Sequence, residues 1–287
     1  MLVLVARPDD DGGTAAPVRR IPVLAYHGVI RDPEVVDGAA DPRFFAVRIA
    51  ELRAQMQFLD DAGYRTITPE QYRDWVSGED VDLPEKPVLI TFDDGETSTR
   101  LATPILEEHD FDAVMFVVSG FADGDYGGPN GQPDWYLTWT QLADLAATGH
   151  WVAQFHAGPK GHAFIRDPDF PSCHRFYPCR FGEDDETYQA RVKTDVAEGL
   201  GAIRTSFGLP DDWESATFAV PWDDVAAPNN RTHEPWLAPY FATQFPVVFL
   251  QGRYRGPVDN QRYRFEVHNP DDLDAFEAGL SSPRFAR

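Results

Sequence analysis

Lysine is nearly missing from this 287-residue chain and stands only at Lys86, Lys160 and Lys193. The shortfall leaves 25 basic residues against 47 acidic ones, a net charge of −22. Most of such a surface repels a polyanion, which argues against nucleic acid as a partner. A salt-rich habitat, a high-GC genome that replaces Lys by Arg, and attraction to a partly cationic glycan would each produce the same imbalance. Long apolar runs are absent as well: stretches such as Phe245 to Leu250 are far too short to span a bilayer. Met1 to Ala6 is a short apolar run without a basic flank, followed by the acidic Pro8 to Gly13, and does not read as a signal peptide. No repeat of fixed period is visible. Cysteine occurs twice, at Cys173 and Cys179 in a Pro-rich stretch, where a local disulfide of an exported protein and two reduced thiols are both open.

What is present suits a folded enzyme-sized domain. Hydrophobic residues make up 43% and aromatics 13%, with 24 prolines and 22 glycines dispersed along the chain. Residues 1–20 read as an irregular lead-in and 21–287 as one catalytic domain, long enough for an α/β barrel of roughly 200 to 250 residues. Ile21 to Tyr26 suits a buried strand. Phe45, Ile49, Leu52, Met56 and Leu59 recur at steps of four and three, a helical stripe that stops at Gly63. Thr68-Pro69-Glu70-Gln71 and Thr138-Trp139-Thr140-Gln141 have capping-box spacing and mark helix starts. Val88 to Phe92, Ala113 to Val118, Trp151 to Phe155, Thr217 to Val220 and Pro246 to Leu250 read as buried strands, with helices at Ala102 to His109 and Tyr188 to Ser206. A strand from Arg264 to His268 and a short helix near Asp271 to Leu280 close the chain. Alternating strands and helices imply parallel β/α units, whose chemistry gathers at the C-terminal ends of the strands.

Asp93 and Asp94 stand at such an end, before Gly95. On their own they would be two solvated acids of a tight turn. Farther on, His156-Ala-Gly-Pro-Lys-Gly-His162 follows the apolar segment Trp151 to Phe155. The glycines and proline forbid a regular helix there, so joint action of the two imidazoles needs a turn that returns them to each other. With Asp94 they complete a two-His, one-carboxylate set suited to Zn²⁺ or another divalent transition metal (Co²⁺, Ni²⁺, Fe²⁺ or Mn²⁺).

Leu89-Ile-Thr-Phe-Asp-Asp-Gly95 resembles the first signature of the polysaccharide deacetylase family (carbohydrate esterase family 4). The resemblance extends to Val23-Leu-Ala-Tyr-His-Gly-Val29, Leu83-Pro84, Pro104-Ile-Leu106, Val114-Met-Phe-Val-Val118, and Leu137-Thr-Trp139 with Gly149. It is nearest to the branch acting on β-1,6-linked poly-N-acetylglucosamine. The resemblance implies a distorted or incomplete (β/α) barrel that hydrolyses acetyl groups from a polysaccharide, N-acetylhexosamine polymer first, in the cell envelope or outside the cell. It also implies Asp93 as general base, and Asp94, His156 and His162 as metal ligands. Phe218-Ala-Val-Pro-Trp222 resembles the third signature, with Pro221 and Trp222 shaping the acetyl pocket and the Trp222 amide as oxyanion donor. For the general acid, His268 and His27 are the candidates. Trp135, Tyr136 and Trp139 could stack on sugar rings or belong to the core.

Three departures from the family pattern stand out. The two histidines are six residues apart rather than four or five, Ala219 and Val220 occupy the stretch where an Arg often precedes the Pro-aromatic pair, and Asp223-Asp224 follows Trp222 in place of a glycine. Two other functions fit the same residues: an esterase removing O-acetyl groups, and a glycan-binding module that holds polymer without cleaving it.

Overall fold

Short apolar runs separated by capped helices make this chain a succession of β/α units. In the computed structural model the described residues are 21–32, 34, 43–128, 132–162, 169, 176–223, 235–251, 261–267 and 273–281. The lead-in 1–20 lies outside them. The elements run β1 (Val23–Tyr26), β2 (Val29–Ile30), β3 (Val47–Arg48), α1 (Ile49–Asp61), β4 (Tyr64–Thr66), α2 (Pro69–Ser77), β5 (Lys86–Phe92), α3 (Thr103–His109), β6 (Ala113–Val118), α4 (Ser119–Ala122), α5 (Trp139–Ala146), β7 (Trp151–Ala157), α6 (Asp185–Ser206), β8 (Thr217–Ala219), α7 (Leu237–Gln244), β9 (Val247–Gln251), β10 (Gln261–Glu266) and α8 (Leu273–Leu280).

Seven strands close on themselves in the order β1, β10, β9, β8, β7, β6, β5 and back to β1, every pair parallel. The expected barrel is therefore present and closed, with one strand fewer than the regular eight. Its distortion sits at β5, where one edge is shared. The first half, Lys86 to Val88, pairs with the outlying β4, and the second, Leu89 to Phe92, pairs with β1 from Val23 to Tyr26.

Alternation along the strands sorts the core in two. Val23, Leu89, Val114, Phe116, Ala219, Val247 and Phe249 cluster with one another and with Tyr72 and Trp75 of α2. Their neighbours Leu24, Val88, Ile90, Phe92, Met115, Val117 and Val248 cluster with the outer helices through residues such as Leu52, Ile105, Val192 and Phe241. The first set fills the barrel and α2 plugs it; the second seats the helical coat.

The stripe of α1 departs from expectation at its start. Phe45 precedes the helix and is 39% exposed, because Val47–Arg48 pairs with β2 before the helix begins at Ile49. At the other end Gly63 takes φ +80, the left-handed stop that glycine supplies most readily. Both capping boxes form as spaced, at Thr68 with Gln71 and at Thr138 with Gln141. Thr68→Ala should lower stability by about 1 kcal/mol, measured as the difference in urea unfolding free energy between the two proteins.

Candidate active site

Parallel pairing brings the C-terminal ends of the strands to one rim, and the functional side chains follow from where each strand stops. Asp93 and Asp94 come directly after β5. His27 comes directly after β1, alongside Asp93, whose amide donates to the Tyr26 carbonyl at 2.9 Å. His156 is the penultimate residue of β7, and Pro221 and Trp222 follow β8. Asp94 takes φ +70 and Gly95 φ +74, so the chain reverses sharply as it leaves β5. For a non-glycine residue that conformation is uncommon and turns its side chain off the strand path.

Asp94, His156 and His162 each offer one ligand atom, all within 4.8 Å of one another. His156 Nε2 is 3.3 Å and His162 Nε2 3.2 Å from the same oxygen, Asp94 Oδ1. Both histidines are buried. His156 Nδ1 lies 2.7 Å from the Ala219 carbonyl, which can only accept, so the ring N–H sits on Nδ1 and the neutral imidazole keeps its lone pair on Nε2. A backbone carbonyl fixing the distal nitrogen is the usual support of a metal-binding histidine. Three electron-pair donors converging in a buried spot repel one another unless a proton or a cation lies among them, so the set fits a divalent metal.

The charges respond accordingly. Burial alone would raise the Asp94 carboxyl, but His162 and His156 outweigh it and hold the group well below the usual carboxylate range. Burial pulls His162 down to about 4 despite the opposing Asp94 charge. His156 is raised, since its contact with Asp94, aided by the Asp93 charge, exceeds the effect of burial.

Asp93 is fully buried and forms a two-pronged pair with Arg264 of β10: Nη1 donates to Oδ1 and Nη2 to Oδ2, each at 2.6 Å. Arg264 Nη1 also donates to Thr91 Oγ1 at 3.1 Å. Burial would push Asp93 up, but the guanidinium prevails and keeps the carboxyl below its ordinary value. The guanidinium thus gives one N–H to each carboxylate oxygen.

His27 is half-buried, and its enclosed Nδ1 has no hydrogen-bond partner among the described residues. Tyr26 and Phe92 pair in register, so His27 and Asp93 leave their strands side by side. Trp222 is 44% exposed, its ring centred 5.0 Å from that of His162, and it adopts φ +59 and ψ 15, a backbone region costly for a bulky side chain. Pro221 is buried. His268 lies outside the described residues, and β10 ends two residues before it, at Glu266. Tyr136 stacks on Phe121 at 3.8 Å and Trp139 donates through its indole N–H to Asp123. Trp135 is half-buried, with Gly128 packed closely on its side chain.

Residues 80–163, the stretch running from before β5 to His162, match the polysaccharide deacetylase family. Over 120 residues the chain is 36% identical to the poly-β-1,6-N-acetyl-D-glucosamine N-deacetylase of Escherichia coli (strain K12). Over that stretch the chain is similar to the polysaccharide deacetylases. That alignment covers 39% of this chain and 18% of the E. coli protein, so the shared part is a small fraction of the relative's length. Among solved structures, a de-N-acetylase from Aggregatibacter actinomycetemcomitans superposes with a TM-score of 0.69 at 20% identity, covering 91% of this chain and 99% of that one. IcaB from Ammonifex degensii gives 0.66 at 24% identity, covering 92% and 98%. At these identities the superpositions speak for the fold.

Within this fold, three residues near the site escaped the sequence reading. Arg264 stands on β10 and reaches Asp93, with no local signal, since the alternate residues Arg262 and Glu266 are charged as well. Glu96, two residues after Asp94, is pushed up to about 8 by burial and by the Asp94 charge, and accepts from Ser98 Oγ at 3.1 Å. Asp195 interrupts the buried stripe Tyr188, Val192, Val196, Gly199 and Ile203 of α6, a lone acid at a helical core position. Cys179 is buried and disulfide-bonded, and Cys173 lies outside the described residues.

Proposed function

We propose that this protein is a metal-dependent hydrolase that removes acetyl groups from a polysaccharide, with an N-acetylhexosamine polymer as the leading substrate. The observation that carries the proposal is the meeting of Asp94 Oδ1 with two imidazole Nε2 atoms, beside a carboxylate, Asp93, whose ionised form is locked by Arg264. Two imidazoles and one carboxylate suit Zn²⁺ best, with Co²⁺, Ni²⁺, Fe²⁺ and Mn²⁺ as alternatives. A cation held by Asp94, His156 and His162 would act as a Lewis acid and make water more acidic.

This chain's own residues would divide the remaining work. Asp93 takes the proton of the water that attacks the acetyl carbonyl, and Arg264 keeps the carboxylate ionised and aimed. The Trp222 amide stabilises the oxygen that gains charge at the acetyl carbon. His27, beside Asp93 at the end of β1, hands a proton to the departing amine. A relative over 120 residues is named as a poly-β-1,6-N-acetyl-D-glucosamine N-deacetylase, and that polymer is the first substrate to offer. A disulfide at Cys179 supports action outside the cytoplasm, in the envelope or beyond it.

The test joins elemental analysis to acetate release from N-acetylated β-1,6-linked glucosamine oligomers and from O-acetylated oligomers. Untreated protein should carry one metal per chain and release acetate from the N-acetylated set. Chelation should stop the release and Zn²⁺ or Co²⁺ restore it, while Asp94→Ala should carry no metal and stay inactive. Release that survives chelation would refute the proposal, and preference for the O-acetylated set would turn it into an esterase.

A further inference from the structure

The ligands His156 and His162 are joined by Ala157, Gly158, Pro159, Lys160 and Gly161, a linker that must double back for both rings to face Asp94. A turn with glycine at two of five positions does not hold such a shape unaided, since glycine gives up the most conformational freedom on ordering. What holds it comes from elsewhere. The Lys160 amide donates to Asp195 Oδ1 at 2.7 Å, and the Tyr177 hydroxyl donates to Asp195 Oδ2 at 2.8 Å. The Gly158 amide donates to that same hydroxyl at 3.2 Å, and the Gly161 amide adds a further bond to the Asp195 carboxyl. Tyr177 is pinned in turn, its carbonyl accepting from the Tyr188 hydroxyl at 2.7 Å.

Sterics press the turn into the same place. A Cβ at Gly158 would strike the Asp195 carbonyl, and one at Gly161 the Tyr177 hydroxyl. From the other sides, a Cβ at Gly120 of α4 would strike the Pro159 carbonyl, and one at Gly199 of α6 the Cα of Gly158. Asp195 is only 4% exposed, on a helix position that packing alone would fill with an apolar residue. A buried carboxylate is expensive unless its oxygens are satisfied, and here the donors that satisfy it are the linker's own amides and the tyrosine that holds the linker.

We propose that Asp195 and Tyr177 are positioning residues of the metal centre, clamping the turn 158–161 so that His162 is delivered to Asp94 and His156 across a six-residue spacing. The inference rests on the metal-centre reading above. It also gives the unusual spacing a physical basis: the longer linker is tolerated because a carboxylate and a phenol take up its free amides.

Tyr177→Phe and Asp195→Asn, each confirmed as folded by circular dichroism, separate this role from a structural one. The quantities to read are the Zn²⁺ dissociation constant, by competition with a chromophoric chelator, and the visible spectrum of the Co²⁺-loaded protein. Both variants should bind Zn²⁺ roughly 10-fold or more weakly, as loss of outer support does at metal sites, with an altered Co²⁺ spectrum. The double variant should be little worse than the weaker single one, because the two residues act as a unit. Should Asp195→Asn fail to fold, Tyr177→Phe carries the test. Wild-type affinity and spectrum in folded Tyr177→Phe would overturn the inference alone, whereas a wild-type protein that binds no metal overturns the metal-centre reading and this inference with it.

Discussion

Asp93→Asn should lower acetate release by a factor of about 10² to 10⁴ while leaving the metal content at one per chain. The amide has nearly the same shape as the carboxylate but cannot take a proton from water. Asp94, His156 and His162 keep their positions, and no metal ligand is lost, so the change falls on turnover rather than on loading or substrate affinity. Steady-state kinetics on a defined oligomer, with elemental analysis of the same sample, reads both quantities. The variant will also be less stable, because Arg264 is left buried opposite a neutral group that accepts on one side only.

The second large effect concerns that arginine. Arg264→Met should cost about 3–5 kcal/mol of unfolding free energy, the usual penalty for stripping one partner from a buried ion pair. Asp93 is fully buried and both its oxygens accept from the guanidinium, which does most to offset the burial. The sign with pH follows from the direction of the Asp93 shift, downward from 3.8. A depressed carboxyl stabilises the fold above its unfolded value, and that stabilisation is lost as pH falls through the lower folded one. The gap between wild type and Arg264→Met should therefore be widest near neutrality and close in acid, where Asp93 protonates in both. Denaturant titrations at several pH values measure it, and the double variant Asp93→Asn with Arg264→Met should recover much of the loss.

How far the sequence disclosed this arrangement depended on distance along the chain. Asp93 and Asp94 were legible because strand, turn and carboxylates are contiguous, and the apolar run before them places them at a strand end. His156 and His162 were legible by residue type, but their return to each other depends on Asp195 and Tyr177, 33 and 15 residues beyond His162, acting on backbone amides. Such contacts leave no local pattern. The barrel was legible from alternating apolar runs and helix caps. Its closure in seven strands was not, because it turns on how β1 and β4 divide one edge of β5. Arg264 shows the same limit from the other side. Arg264 meets Asp93 across 171 residues of sequence, a pairing that closure of the barrel makes possible and that linear reading misses. Phe45 fell at a helical step from Ile49 by coincidence of spacing, since pairing of β3 with β2 claims the chain first.

The most direct check is anomalous diffraction from crystals of the Zn²⁺-loaded protein, collected on both sides of the zinc edge. One strong peak is expected, with Asp94 Oδ1, His156 Nε2 and His162 Nε2 each about 2.0–2.2 Å away. A peak held by other residues, or none in this cluster at saturating zinc, would contradict the account.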